Sequence, residues 1–413
     1  MRSDVVVLGA GIVGISVALH LQARGRSVAL LDRRGAAEET SFGNAGLIQR
    51  EGVYPYGFPH DFGALLRYGF NRTIDAHYHP SALPELAPFL WKYWRHSRRE
   101  RHARIAKVYS RLIERCVAEH DALAAEAGAT ALVRREGWMR VFRTTRERDL
   151  RLEEAARWRA EFGVGFNSLD KKDLQEKEPH LAPILVGALH WIDPTTVVDP
   201  HALALAYLRL FENRGGKFVQ GNAVSLKQDR QDWTVNTTEG LLQAGTAVVA
   251  LGPWADVVTR PLGYDLPLAV KRGYHMHYRA AGKAVLNHPI LDTERGYCLA
   301  PMQRGIRLTT GAEFALRDAI RTPVQLGRAE PIARELFPLA ERLDNEPWMG
   351  ARPCTPDMLP IIGRAPRHAN LWFAFGHAHH GLTLGPVTGR LIGEMITGET
   401  PFTDPAPYRA ERF

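Results

Sequence analysis

Three glycines, at positions 9, 11 and 14, are the first residues whose spacing could do chemistry. They lie between an apolar run ending at Leu8 and a helical pattern over roughly residues 13–25. In that setting Gly9 permits a tight turn, Gly11 lets a pyrophosphate reach the backbone, and Gly14 lets the helix pack on the strand. The helix opens at Ile12 and Val13, and its free N–H groups and dipole favour a diphosphate. A second apolar run, residues 27–32, ends in Asp32, placed to accept hydrogen bonds from a ribose diol. Its neighbours Arg33 and Arg34 either edge an adenine or face solvent, since Asp32 would repel a 2′-phosphate beside them.

The next segment separates nicotinamide from flavin. A nicotinamide enzyme continues with further βα units, whereas this chain turns into the glycine-punctuated TSFGNAGLI, residues 40–48. Such a loop can run along a long cofactor. Ser41 offers a hydroxyl; Asn44, Ala45 and Gly46, just before Leu47, offer backbone groups with little bulk. The reading is FAD.

Two other groupings invite a chemical role. His377, His379 and His380 cluster near the C-terminus, but a metal needs further ligands in a rigid frame, and the flanking glycines fit flavin contact better. Arg352 lies in GARPCTPDMLPIIG; its planar fork can hold a carboxylate bidentately at any working pH, or it can pair with Asp357. There is no Ser/His/Asp or paired-carboxylate arrangement, and no metal is expected.

The 413 residues suit two domains, and 45% hydrophobic with 24% charged residues describes an ordinary globular chain. The net charge of +8 favours anionic partners without selecting one. No nucleic-acid-binding module is present. Cys116, Cys298 and Cys354 are widely separated, which excludes a disulfide framework and suits a reducing compartment. No apolar run is long enough to span a bilayer. The expected location is the cytoplasm. A peripheral contact with the cytoplasmic face of a membrane stays open, because LAPFLWKYW (86–94) precedes a basic helical stretch.

Elements of the dinucleotide-binding type recur at the start, middle and end: the opening unit, the amphipathic helix HALALAYLRLFENRG with the strand TAVVAL (246–251), and the closing strand–loop–helix from LWFAF. Residues 84–126 and 146–162 read as helical around a strand-like GWMRVFR (137–143), HWIDPTTVVDP (190–200) as a loop with two proline breaks, and 266–313 as an antiparallel sheet. The fold class is therefore α/β plus α+β, with a discontinuous cofactor domain (1–80, 190–262 and 340–413) and a β-rich substrate domain (81–189 and 263–339).

VVVLGAGIVGISVALHL, TSFGNAGLI, TAVVALGPWA, VKRGYH, LTTGAEFA, GARPCTPDMLPIIG and GHAHHGLTLGPVTG occur in order from end to end of the chain. In these stretches the sequence resembles the FAD-dependent D-amino-acid dehydrogenases, within the group that includes D-amino-acid oxidase, glycine oxidase and sarcosine oxidase. The resemblance implies a Rossmann-like FAD-binding domain joined to an antiparallel substrate domain. It places Gly9, Gly11, Gly14 and Asp32 on the ADP half of FAD, and Ser41, Asn44, Ala45 and Gly46 near the pyrophosphate and flavin. Val224 and Ala250–Gly252 would line the adenine side, with Trp254 capping it. Gly350, His380, Gly381, Leu382 and Thr383 would surround the isoalloxazine, with a helix from about residue 382 pointing its N–H groups at the ring. The family's GHG-type motif is here GHAHH, which leaves the flavin contacts of His377 and His379 open. Cys354 does not match the cysteine that attaches flavin in some relatives, so non-covalent FAD is expected and Cys354 is read as packing.

The resemblance also implies the reaction. Arg352 would hold the carboxylate of an amino acid, and Tyr274 would donate a second hydrogen bond or only pack in its sheet. Lys271 and Arg272 would at most tune the flavin field. Hydride would pass from Cα to flavin N5, leaving an imino acid. Electrons would go to a quinone or another respiratory carrier, with oxygen or partner subunits as alternatives.

Overall fold

In the opening strand, Arg2–Leu8, Val5 and Val7 enter one core and Val6 and Leu8 another, so the strand is covered on both faces. That double burial is why it reads as an unbroken apolar run. The computed structural model describes residues 1–413. Around this strand five parallel strands run in the order Lys217–Asp229, Val28–Asp32, Arg2–Leu8, Gly240–Val249 and Leu371–Phe375. Ile361–Arg364 adds an antiparallel edge, and Asp232–Thr237 links the two long strands as a meander. One face is covered by the helices Ile12–Gln22, Pro200–Asn213 and Gly381–Thr397.

Two of these helices approach backbone to backbone. A Cβ on Gly389 would lie 2.5 Å from the Ser16 carbonyl oxygen, so only glycine lets the closing helix settle on the first one. Gly14 plays the matching role at the turn, where a Cβ would fall 1.8 Å from the Gly9 carbonyl oxygen.

The second sheet has eleven strands built around Ala269–Ala280. It is mixed: Ile290–Asp292 runs parallel to Trp138–Phe142, and Ala312–Phe314 parallel to Ala76–Tyr78, which corrects the purely antiparallel expectation. The helix Val324–Leu336 closes its outer core. Other expectations also change. The 190–200 loop is in fact the end of strand Gly187–Trp191 and the strand Thr195–Val197. TAVVAL is the end of one long strand, Gly240–Val249. By sheet membership the domain boundaries shift: Ala76–Tyr78 and Trp348–Cys354 belong to the second sheet. Helices Arg99–Ile113 and Cys116–Glu126 pack on the closing helix of the first half. No helix is long and apolar enough to cross a membrane.

Candidate active site

One continuous cavity of about 1000 Å³ runs between the two sheets, from Asp32 and Arg33 at one end to Arg140 and Arg151 in the second half. Sites for small ligands occupy roughly 300–1,000 Å³, and this one lies at the upper end of that range.

The glycine turn lies on its wall. A Cβ on Gly9 would be 2.5 Å from the Ala250 carbonyl oxygen, and Gly9 has φ of +105°. Gly11, Ile12 and Val13 line the cavity, while Gly14 serves packing alone. The Ser41 hydroxyl accepts the Ile12 N–H at 3.0 Å, tying the 40–48 loop to the helix start. Asp32 accepts the Ala10 N–H at 2.8 Å and still has acceptor capacity toward the cavity. The Arg33 guanidinium stacks 4.5 Å over Trp254 while pairing with Glu39 at 2.8 Å. Val224, Ala250, Gly252 and Trp254 complete that end. Asn44, Ala45 and Leu47 reach the cavity; Gly46 instead supports a turn at φ +75°, close to the Val197 carbonyl.

At the other end of the cofactor path the closing helix begins. The N–H groups of Gly381, Leu382 and Thr383 precede the first ladder bond, Leu384 to His380, and Gly381 and Leu382 line the cavity with Gly350. This cradle of close-approach glycines, a carboxylate at a strand end and two helix starts fits FAD. Two expectations are corrected here. His380 turns away, its Nδ1 bonded to the Tyr109 hydroxyl at 2.6 Å, and the Thr383 hydroxyl bonds Gln49 N–H and Leu47 carbonyl. His379 faces the cavity in place of His380, 4.6 Å from the Tyr56 ring. Ala378, at φ +47°, reverses the phase of this loop.

Arg352 also faces the cavity. Its Nη1 donates to the carbonyls of Gly311 at 3.1 Å and Arg272 at 3.3 Å, and its guanidinium lies over Gly273, where a Cβ would be 2.4 Å away. No carboxylate pairs with it. Asp357, the alternative partner, is held by Arg412 at 2.8 Å. Lys271, paired in register with Arg352, has its Nζ 3.8 Å over the Tyr93 ring, and burial lowers its pKa to about 8.

The remaining expectations divide. The Tyr274 hydroxyl donates to Glu313 at 2.9 Å and accepts the Thr322 N–H, so it packs within the sheet and has no donor left for a ligand. Arg272 is fully buried on Glu313 at 2.6 Å, outside the cavity. The Cys354 thiol is buried against Phe89, Tyr93 and Met358. Cys298 does line the cavity, and burial pushes its pKa up to about 12, so it stays a thiol. His77, His79 and Glu313 come within 4.8 Å of one another, a cluster not noticed in the sequence. Glu313 there already accepts from Arg272, Tyr274 and Thr322.

Sequence reasoning missed Tyr56, Arg140 and Tyr93, all on the cavity wall. A signal existed for Arg140: it is the charged residue in the middle of the otherwise apolar strand WMRVF.

Fold and cavity together define a dinucleotide-binding protein. The sequence signature of the FAD dependent oxidoreductase (DAO) family matches residues 4–395, and the chain belongs to that family. It is 29% identical to a D-amino-acid oxidase of Bradyrhizobium diazoefficiens over 99% of this chain and 98% of that one. It is 31% identical to a D-amino acid dehydrogenase of Methylobacterium radiotolerans over 96% of each. Glycine oxidase from Geobacillus kaustophilus shares the fold, with a TM-score of 0.76 at 22% identity over 100% of this chain and 99% of that one. The protein is thus an FAD-dependent amino-acid oxidoreductase.

One buried acid beside the cavity yields a pH prediction. Glu51 accepts from Gln49 and Trp138 at 2.8 and 2.9 Å, yet burial dominates and raises its pKa from 4.5 to about 7. A raised folded-state pKa gives stability that is full below the unfolded value and is lost as pH rises through the folded one. Glu51→Gln should therefore be more stable than wild type above neutrality, by about 1–3 kcal/mol, and should converge with it toward pH 4.5. Chemical denaturation across that range tests this, and parallel stability curves would refute it.

Proposed function

We propose that the protein oxidises a D-amino acid at Cα, with Arg352 holding the substrate carboxylate and the electrons passing to an acceptor other than oxygen. The observation that carries this reading is Arg352 itself, a cavity-facing guanidinium whose only partners are two carbonyls. Such a fork gains two charge-assisted bonds when a carboxylate arrives. The D-amino acid dehydrogenase of Methylobacterium radiotolerans supports the choice of substrate enantiomer.

FAD supplies the two-electron acceptor when bound. The chain's own side chains orient and bias the substrate. The carbonyls of Arg272 and Gly311 fix the guanidinium, and the missing side chain of Gly273 leaves room for it. Arg352 and Lys271 together create a positive field, in which the substrate ammonium loses its proton more readily. His379 adds no charge, because burial and then Arg352 and Lys271 hold its pKa well below 6.5. The free N–H groups at Gly381 and Leu382 favour negative charge on the cofactor side. This arrangement works by placement and electrostatics and asks for no dedicated base. The imino acid released hydrolyses to a 2-oxo acid and ammonia, or stays cyclic if the substrate resembles proline.

A quinone or another membrane carrier is the acceptor in this reading. Its structural support differs from the stretch singled out in the sequence, since Leu86, Phe89 and Tyr93 are buried. The neighbouring helix Phe62–Gly69 buries no residue; Phe62 and Leu66 are 78% and 54% exposed, and Phe70, just past its end, is 66% exposed. With Arg67 and Arg72 beside it, this surface suits anionic lipid headgroups. Dye-coupled turnover should greatly exceed peroxide formation in air; equal rates would favour the oxidase reading that the Bradyrhizobium relative raises.

Arg352 gives the direct test. Arg352→Lys keeps the charge and loses the fork, so KM should rise while some turnover survives. Arg352→Met should lose about 2–5 kcal/mol in kcat/KM. FAD content and melting temperature should stay near wild type in both variants. Normal turnover in Arg352→Met, or loss of flavin together with unfolding, would assign the arginine a structural role.

A further inference from the structure

Arg140 is a further cation on the cavity wall, one that the proposed reaction leaves without a task. In the strand Trp138–Phe142, Met139 and Val141 enter the outer core of the second sheet, while Trp138 and Arg140 face the cavity. Its register neighbour is Leu291, which pairs with Cys298, which pairs with Thr309; all three line the same cavity. Arg140 and Arg352 therefore belong to one wall, several strands apart. The phenol of Tyr56 lies within electrostatic reach of both guanidinium groups.

The charge of Arg140 is poorly met by the protein. Its nearest carboxylate, Glu154, is 3.9 Å from Nη1 and is already held by Arg151 at 3.1 Å. Arg151 in turn engages Glu147 at 2.7 Å. Glu51 also acts on Arg140 through space; its Oε1 is committed to Gln49 and Trp138, its Oε2 is buried without a partner, and burial draws its carboxyl toward the neutral form. The buried Nε of Arg140 has no hydrogen-bond partner. Within this group Arg140 and Arg151 line the cavity, whereas Glu51, Glu147 and Glu154 do not. The cluster thus turns its positive side inward. A desolvated guanidinium with an idle donor is costly unless the ligand brings an anion.

We infer that the substrate carries a second carboxylate, on its side chain, and that Arg140 binds it. This rests on reading Arg352 as the site of the α-carboxylate. Two guanidinium anchors on one wall fix both ends of a dicarboxylic amino acid, and with them the face that Cα presents. A substrate with a neutral side chain would leave Arg140 with only the shared, 3.9 Å contact to Glu154 in a partly dry site.

The test begins without turnover. FAD-loaded protein is titrated with succinate, glutarate and adipate, and with the monocarboxylates of equal chain length, following the absorbance of the bound flavin. At least one dicarboxylate should bind about tenfold or more tighter than its monocarboxylate, and Arg140→Met should bring that ratio close to one. The kinetic arm compares the D-amino diacid of matching length with its amide. Arg140→Met should lower the acid-to-amide ratio of kcat/KM by about 10–100-fold, and Arg140→Lys should restore part of it. Should Arg140→Met lose its flavin, Arg140→Gln takes its place in both arms. A wild-type preference for monocarboxylates, or a dicarboxylate preference that survives removal of Arg140, would overturn the inference. Failure of every amino acid to reduce the flavin would instead defeat the proposed reaction, and the dicarboxylate titration would still report on Arg140.

Discussion

Taking a guanidinium out of water without an anion to meet it is costly, and the substrate half of this protein is organised around that constraint. Arg352 is placed on the cavity wall by the pairing of Trp348–Cys354 with Ala269–Ala280, and is held there by two carbonyls. The acid nearest in sequence, Asp357, is removed from competition by Arg412. The next arginine along the neighbouring strand, Arg272, is neutralised by Glu313 on the opposite side of the sheet. Alternation along Ala269–Ala280 thus separates Arg272, satisfied internally, from Lys271, which faces the cavity beside Arg352. A buried guanidinium already paired inside the fold has little left to offer a ligand, whereas the proposed role of Arg352 depends on its lacking such a partner.

The cofactor half answers the opposite need, a path for a large anionic molecule through close-packed backbone. Gly9 and Gly11 keep the turn bare, Ser41 binds the flavin-side loop to the first helix, and Gly389 lets the closing helix lie against that same helix. Three segments distant in sequence therefore meet along one line. The two halves share the cavity, so the geometry that seats FAD also sets where a carboxylate on Arg352 falls relative to it.

What was legible in the sequence follows from how local each signal is. The glycine turn and Asp32 depend on short-range backbone geometry and formed where their spacing indicates, and the closing helix, expected from about residue 382 by resemblance, begins at Gly381. Arg352 stood out through its motif, although only the folded structure shows that Asp357 pairs with Arg412 instead. The sequence leaves Tyr274 with two roles, and only the folded structure shows its hydroxyl committed to Glu313 and Thr322. His380 was exchanged for His379 because a left-handed Ala378 resets the direction of the loop. Arg140 and Tyr56 were invisible as site residues, since the strand and the loop that carry them meet Arg352 only through the register of the whole second sheet and its covering segments.

The central claim is that Arg352 is kept unpaired to receive a carboxylate. A crystal structure of the FAD-loaded protein with a non-oxidisable amino-acid analogue tests it most directly. The account predicts the α-carboxylate against the Arg352 guanidinium, with both oxygens accepting from it. An analogue bound elsewhere, with Arg352 bonded only to the carbonyls of Arg272 and Gly311, would contradict it.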